Sequence, residues 1–330
     1  PILHHAPLSV SGYLRDALFN QHTIIMTSAT LQVGGSMDNT ARAVGLIEEP
    51  KRSEFQDTEH ADDFGDVSAR EMSSAGDSES EADQQTPAVA PDEDPWGERE
   101  ISWNALDVGS PFNYPQQAIL YCAAHLPPPM SDGVAEQAFD ELAELIDAAG
   151  GRSLCLFSSW RSVERAGEYL SVRFNGRADR PLIIASRGDS VASLVESFKA
   201  EPRATLLGTR SFWQGIDVPG PTCTLVTIDR IPFPRPDEPV YSARANRASE
   251  MGLNGFTAVS VPHAALLLAQ GVGRLIRSSD DRGVVAILDS RLEQKSYGKT
   301  LRRSLPEMYY TTDKTSVLNS LKRLDEQNSN

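Results

Sequence analysis

Gln270, Arg274 and Arg277 stand in one short stretch, Gln270-Gly271-Val272-Gly273-Arg274-Leu275-Ile276-Arg277. It follows an apolar run, Ala264-Ala265-Leu266-Leu267-Leu268-Ala269. That run reads as the buried end of a helix, because Leu and Ala favour helix and no β-branched residue interrupts it. If the helix continues, Arg274 and Arg277 share one face and Gln270 lies about one turn earlier. Two guanidiniums and a carboxamide projecting together would clamp an oxyanion, phosphate first among them. The same spacing also suits a surface helix end with two solvated arginines.

Three other stretches carry usable chemistry. Thr209-Arg210-Ser211-Phe212-Trp213-Gln214-Gly215-Ile216-Asp217-Val218-Pro219-Gly220 packs two aromatics, two glycines and a carboxylate between two apolar runs. Phe212 and Trp213 could stack on bases, Gly215 would let backbone approach a phosphate, and Asp217 could orient a ribose hydroxyl or an arginine. A Trp-anchored core turn has the same composition. Ser28-Ala29-Thr30-Leu31 follows the apolar run Thr23-Ile24-Ile25-Met26-Thr27, and Ser158-Ser159-Trp160 follows Leu154-Cys155-Leu156-Phe157. Small hydroxyl residues at the end of a buried strand sit where parallel α/β sheets place functional loops. A plain strand end would look no different.

The elements that must position these residues follow from apolar patterning. Residues 23–27 read as a buried strand, and a helix is expected through Leu46, begun by Ser36 or Asp38 after Gly34-Gly35. Strands are expected at 117–122, 152–160, 181–186, 204–208, 222–228 and 283–289. Helices are expected at 134–149, closed by Gly150-Gly151, at 163–170 and at 191–199. Short apolar strands alternating with amphipathic helices imply a doubly wound parallel α/β sheet.

Between residues 48 and 100 the composition changes to Asp, Glu, Ser, Gln and Pro, and disorder is expected there. That segment holds 18 of the 46 acidic residues but only 4 of the 31 basic ones, so it carries most of the net charge of −15. The remainder is near neutral, and its clustered arginines are compatible with nucleic acid. Asp92-Glu93-Asp94-Pro95 resembles a nucleotide-hydrolysis carboxylate pair, but no apolar strand precedes it; the insert reads as a solvated loop rather than an acidic mimic of DNA. The three cysteines, Cys122, Cys155 and Cys223, have no metal-ligand spacing, and no metal site is expected in this chain. No apolar run reaches membrane-spanning length and no signal-peptide pattern opens the chain, so a cytoplasmic, nucleoid-associated protein is expected.

Taken in order, Thr27-Ser28-Ala29-Thr30-Leu31, Leu156-Phe157-Ser158-Ser159-Trp160, Ser211-Phe212-Trp213-Gln214-Gly215-Ile216-Asp217 and the arginine stretch 270–277 resemble motifs III to VI of superfamily 2 helicases. The resemblance is closest to the DinG branch of the XPD-like DNA helicases. Ser110-Pro111-Phe112, Ile231-Pro232-Phe233-Pro234, Asp289-Ser290-Arg291-Leu292, Tyr297-Gly298-Lys299 and Ser304-Leu305-Pro306 fit the same branch.

The resemblance implies a RecA-like fold with three parts: residues 1–47 as the end of a first motor domain, 48–100 as an acidic insert, and 101–330 as the second motor domain. It implies that Arg274 and Arg277 reach the γ-phosphate of ATP as arginine fingers, assisted by Gln270. Gly215, Asp217 and Gly273 would lie at the nucleotide and couple it to DNA. Ser28 and Thr30 would link hydrolysis to domain movement, and Ser158, Ser159 and Thr209, with the Phe212 and Trp213 pair, would meet single-stranded or forked DNA. The implied activity is Mg²⁺-ATP-driven 5′→3′ translocation on single-stranded DNA in repair or replication stress.

Several parts of such a motor have no counterpart here. No Gly-x-x-x-x-Gly-Lys-Ser/Thr phosphate loop and no Asp-Glu-x-His box follows a strand, and the four-cysteine iron–sulfur site of many relatives has no ligands in this chain. Gly298-Lys299-Thr300 reads instead as the start of a helix. Because the chain opens on Pro1, these parts are expected upstream, and hydrolysis by this chain alone is expected to be negligible. A regulatory or nucleic-acid-binding module that kept the motor fold without catalysis is the alternative. An unrelated dinucleotide-binding enzyme lacks its Gly-x-Gly-x-x-Gly, and an RNA helicase would grip backbone through the same motifs.

Overall fold

A computed structural model describes residues 6–28, 30, 32–47, 101–129, 135–175, 177–212 and 220–329. Within 6–47, a short helix α1 (Ser11–Leu14) runs into a π-helical turn (Arg15–Phe19), and α2 spans Asp38–Val44. The sheet region then runs α3 (Tyr114–Gln117), β1 (Ala118–Cys122), α4 (Glu136–Ala148), β2 (Ser153–Leu156), α5 (Trp160–Arg173), β3 (Leu182–Ile184), α6 (Val191–Ala200) and β4 (Thr205–Gly208). It continues with β5 (Leu225–Ile228), α7 (Pro239–Glu250), a second π-helical turn (Phe256–Ser260), α8 (Val261–Val272), β6 (Gly283–Ile287), α9 (Arg291–Gln294), α10 (Ser296–Arg303), β7 (Tyr309–Thr311) and α11 (Lys314–Ser329).

The strands form one sheet in the order β3-β4-β2-β5-β6-β1-β7, and every pairing is parallel. Parallel strands are covered on both faces, which is why they read as continuous apolar runs. Side chains alternate across the sheet: Leu120 and Cys122 join the core with α6 and α8, while Tyr121 between them joins the core with α4, α5 and α11. This is the doubly wound RecA-like layering. α4 ends as expected: Gly150 (φ +69°) and Gly151 (φ +85°) adopt left-handed backbone, and a side chain on Gly151 would collide with the Arg203 carbonyl.

Two features fix the frame around the sites. Arg152 is buried, and its guanidinium donates to Asp325, to the carbonyls of Pro202 and Pro221, and to that of Asn328. It thereby holds α11 against the chain segments that lead into β4 and β5. Residues 6–47 are tied to the sheet region: Arg244 Nε donates to the Leu8 carbonyl (2.7 Å), the Gly34 amide donates to Ser304 Oγ (2.6 Å), and Val33 is buried in the core.

One expected strand is not formed. Residues 23–27 are irregular, and Ile24, Ile25 and Met26 are exposed, Ile25 by 87%. A strand needs ladder partners on at least one side, and no strand lies beside this run among the described residues. Residues 117–122 also shift by one, since Gln117 closes α3 and spends its side chain on the carbonyls of Ser278, Ser279 and Asp281. The acidic segment 48–100, with Asp92 and Glu93, lies outside the described residues.

Candidate nucleotide and nucleic-acid sites

Parallel strands put all their C-terminal ends on one rim of the sheet and all their N-terminal ends on the other. The candidate residues divide between these rims.

The rim of strand C-termini carries the hydroxyls. Ser158 follows β2, and Thr209 follows β4, the next strand. Ser158 is held by Asp229, the first residue past β5: the Ser158 amide donates to Asp229 Oδ1 (2.9 Å) and its Oγ to Oδ2 (3.0 Å), while the Arg230 amide adds 2.8 Å to Oδ1. Asp229 is buried, and burial pushes its pKa up to about 6 against the opposing pull of Arg230 and of the Ser158 hydrogen bonds. Ser159 caps α5, accepting the Ser162 amide at 3.1 Å. Thr209 is buried, with its Oγ1 3.4 Å from Ser211 Oγ.

Phe212 departs from the sequence expectation. It is 1% exposed and belongs to the core, with its ring against Gly208 where any side chain would collide. A ring packed there has no face to offer a base, so the core-turn reading holds for this residue. Trp213, Gly215 and Asp217 lie outside the described residues.

The opposite rim carries the arginines, but not on a helical face. α8 closes at Val272, with Gly273 as its C-cap, and residues 274–277 leave as a turn. Gly271 lies in the last turn and Gly273 falls where the helix would have to continue, and glycine is among the poorest residues at holding helix. Arg274 folds back, donating Nε to the Gln270 carbonyl (3.1 Å), one of the carbonyls a helix end leaves unpaired. Gln270, Gly273, Arg274 and Arg277 are all half-buried. Tyr114 lies nearby: burial raises its phenol pKa, against a hydrogen bond with Ser110 and the charge of Arg277.

Asp281, which nothing in the sequence singled out, organises this rim. It is buried, accepting the amides of Arg277 (2.7 Å) and Ser278 (2.8 Å) on Oδ2, and Ser278 Oγ (2.9 Å) and the Gly220 amide (3.1 Å) on Oδ1. Gly220 lies five residues before β5, in the connection that leaves β4 at Thr209. That connection therefore starts on one rim, beside Ser158, and reaches the other, beside Arg277.

Asp289, past β6 in the stretch Asp289-Ser290-Arg291-Leu292, is a second anchor. It is fully buried, receives the Ile231 amide (2.9 Å) and grips Arg291 through Nε (2.9 Å) and Nη2 (2.7 Å). Both Asp229 and Asp289 stand directly behind apolar strands, and a carboxylate in that place was the available clue. Ser28 and Thr30 lie apart: their hydroxyls are 3.5 Å from one another, and no hydrogen bond among the described residues joins them to either rim.

Chemically, the arginine rim suits an anion. Guanidiniums match phosphate oxygens, whereas the Asp281 oxygens are taken by four donors and do not suit a hard cation such as Mg²⁺. Among the described residues, no group of three or more His, Cys, Asp or Glu is placed to hold a metal, and no helix is long and apolar enough to cross a membrane.

The family described as "Helicase C-terminal domain" matches residues 142–308. The chain is 44% identical over 325 residues to the ATP-dependent helicase DinG of Mycobacterium tuberculosis, covering 98% of this chain and 40% of that protein. It is 39% identical over 210 residues to the ATP-dependent DNA helicase YoaA of Escherichia coli, covering 63% of this chain and 32% of that one. A solved XPD helicase structure overlays at a TM-score of 0.43 with 18% identity, covering 60% of this chain and 36% of that one. The chain thus spans about 40% of the length of its mycobacterial relative.

Proposed function

Since the chain belongs to the DinG-like bacterial helicases, as a C-terminal part that includes the helicase C-terminal domain, we propose that it supplies the second motor half of an ATP-driven translocase on single-stranded DNA. The observation that carries this reading is the two-rim arrangement. Hydroxyls and backbone amides line one rim and two arginines line the other, with Thr209 at the first and Gly220 at the second.

In this reading the γ-phosphate of ATP meets Arg274 and Arg277, with Gln270, Gly273, Gly215 and Asp217 around the nucleotide. Phosphoryl transfer spreads negative charge over the γ-oxygens, and an arginine supplied across a cleft is worth about 10³–10⁵ in rate. The phosphate loop and the Mg²⁺ carboxylate come from a motor domain upstream of this chain, in which residues 1–47 form the last part. Hydrolysis then depends on closure of the two halves. The strand of DNA lies on the hydroxyl rim, its backbone met by Ser158, Ser159 and Thr209, with Ser28 and Thr30 relaying closure. Movement runs 5′→3′, and the setting is repair or replication stress.

The test is hydrolysis by this chain alone and by the same chain joined to the upstream motor domain. Turnover stimulated by single-stranded DNA is expected only in the joined protein. Stimulated turnover by this chain alone would overturn the assignment of the phosphate loop to the other half, and no turnover in either would favour a binding module without catalysis.

A further inference from the structure

With Phe212 in the core, the hydroxyl rim needs another source of aromatic surface, and one exists on the neighbouring strands. Phe233 follows β5, Phe256 opens the π-helical turn before α8, and Tyr297 stands in the first turn of α10. Their rings form a closed triad: Phe233 to Phe256 at 5.0 Å, Phe256 to Tyr297 at 5.3 Å, and Phe233 to Tyr297 at 5.4 Å between centroids. Phe233 and Tyr297 are half-buried, while Phe256 is 41% exposed.

We propose that this triad is a stacking subsite for an unpaired nucleobase, with Phe256 as its exposed face. The proposal rests on the reading of this rim as the path of single-stranded nucleic acid. Three observations point to that occupant.

The first is place. β5 and β6 are the next strands along the sheet after β2, and neighbouring strands lie about 4.8 Å apart. A backbone gripped at Ser158 therefore has its adjacent bases over this part of the rim. The second is charge. Lys295 and Lys299, two residues either side of Tyr297, are exposed, and the Arg291 guanidinium lies 5.7 Å from the Phe233 centroid. Basic residues interleaved with aromatics suit a charged backbone carrying flat bases. The third is rigidity. Asp229 ties the segment before Phe233 to Ser158, and Asp289 holds Ile231 and Arg291. Gly255 lets the chain approach α7 so closely that a side chain there would stand 2.5 Å from the Ala245 carbonyl. The rings are thus set before any ligand arrives, which lowers the ordering cost of binding.

The experiment measures fluorescence anisotropy of two labelled strands of equal length at fixed salt, an oligothymidylate and an abasic strand, against the 330-residue chain and its Phe256→Ala variant. Stacking on alanine-scanned aromatics is worth about 1–3 kcal/mol per base, so Phe256→Ala should bind oligothymidylate roughly 5- to 150-fold more weakly. It should bind the abasic strand like the parent, and Phe256→Trp should restore oligothymidylate binding. Unchanged oligothymidylate affinity in Phe256→Ala, or an equal loss on both strands, overturns the stacking subsite and leaves the rim's backbone contacts standing. If the parent chain binds neither strand, the underlying reading of the rim falls, and the subsite falls with it. Matching thermal melts for parent and variant exclude misfolding as the cause.

Discussion

Asp281 holds Arg277 by its backbone: one carboxylate oxygen accepts the Arg277 amide at 2.7 Å, and the other accepts the Gly220 amide at 3.1 Å. The arginine turn and the β4–β5 connection are therefore fastened to a single buried side chain. Removing it strands three part-buried amides as well as the Ser278 hydroxyl. Asp281→Ala is expected to lower stability by about 3 kcal/mol or more, from the cost of leaving charge-assisted hydrogen bonds unmade. Urea unfolding at neutral pH checks this, and a loss below about 1 kcal/mol would mean that the turn is held elsewhere.

Arg277→Ala and Arg274→Ala, placed in the protein that includes the upstream motor domain, should each cut DNA-stimulated ATP hydrolysis by about 10³-fold. Lysine should not rescue either position, because a point charge does not reproduce the guanidinium fork. Affinity for single-stranded DNA should stay within about twofold, since these residues lie on the other rim. Turnover within tenfold of the parent would refute the assignment.

Asp229 gives the chain a pH signature. Its folded pKa, about 6, stands above the ordinary value, so the folded state binds the proton more tightly than the unfolded chain does. Stability from this group is fully present below about pH 4 and is lost as pH rises through about 6, a fall of roughly 2–3 kcal/mol at 1.36 kcal/mol per unit. Asp229→Asn keeps acceptors for the Ser158 and Arg230 amides while removing the titration. Urea midpoints measured from pH 4 to 7 should show the parent losing stability relative to Asp229→Asn across that window. Parallel curves would contradict the burial argument.

Phe212 should behave as a core residue. Phe212→Ala is expected to cost about 3–5 kcal/mol through transfer and cavity terms. Phe212→Leu should cost less and should leave DNA affinity unchanged once the protein is folded. A stable Phe212→Ala with weakened DNA binding would return the ring to the binding surface.

Asp325→Ala should also be costly. It leaves Arg152, a buried cation, with carbonyl partners only, and it removes the bidentate grip on Arg203. Breaking one side of such a pair typically costs 3–5 kcal/mol. Faster hydrogen exchange along α11 would accompany the loss, and unchanged exchange there would show that Val317 and Leu321 hold the helix unaided.

The fold was legible where burial is two-sided. β1, β2, β4, β5 and β6 read from the sequence because strands covered on both faces leave uninterrupted apolar runs. β7 is three residues long with Tyr309 exposed, and α11 buries only Val317 and Leu321 amid polar neighbours, so neither rises above its background. Residues 23–27 show the converse error. Their composition suits a buried strand, but burial is supplied by neighbours rather than by composition.

The site was legible in residue type and less so in placement. Arg274 and Arg277 are of a type that suits an anion, yet α8 closes at Val272 and Gly273 caps the helix that the spacing argument extended. Asp281 sits in Ser278-Ser279-Asp280-Asp281-Arg282, a run that reads as solvated loop; only the folded chain distinguishes it from Asp280, which is exposed. Phe212 was misplaced for a similar reason. Gly208, four residues earlier, makes the space that its ring fills, and that relation is visible only once the chain turns.

The two ties of the N-terminal segment have a mechanical consequence. Leu8 is fastened to α7 through Arg244, and Gly34 to α10 through Ser304. Those are the helices that support Phe256 and carry Tyr297. A pull on the N-terminal segment is therefore delivered to the mounting of the aromatic triad as well as, through Val33, to the core beneath the sheet. The load path enters the molecule beside the rings.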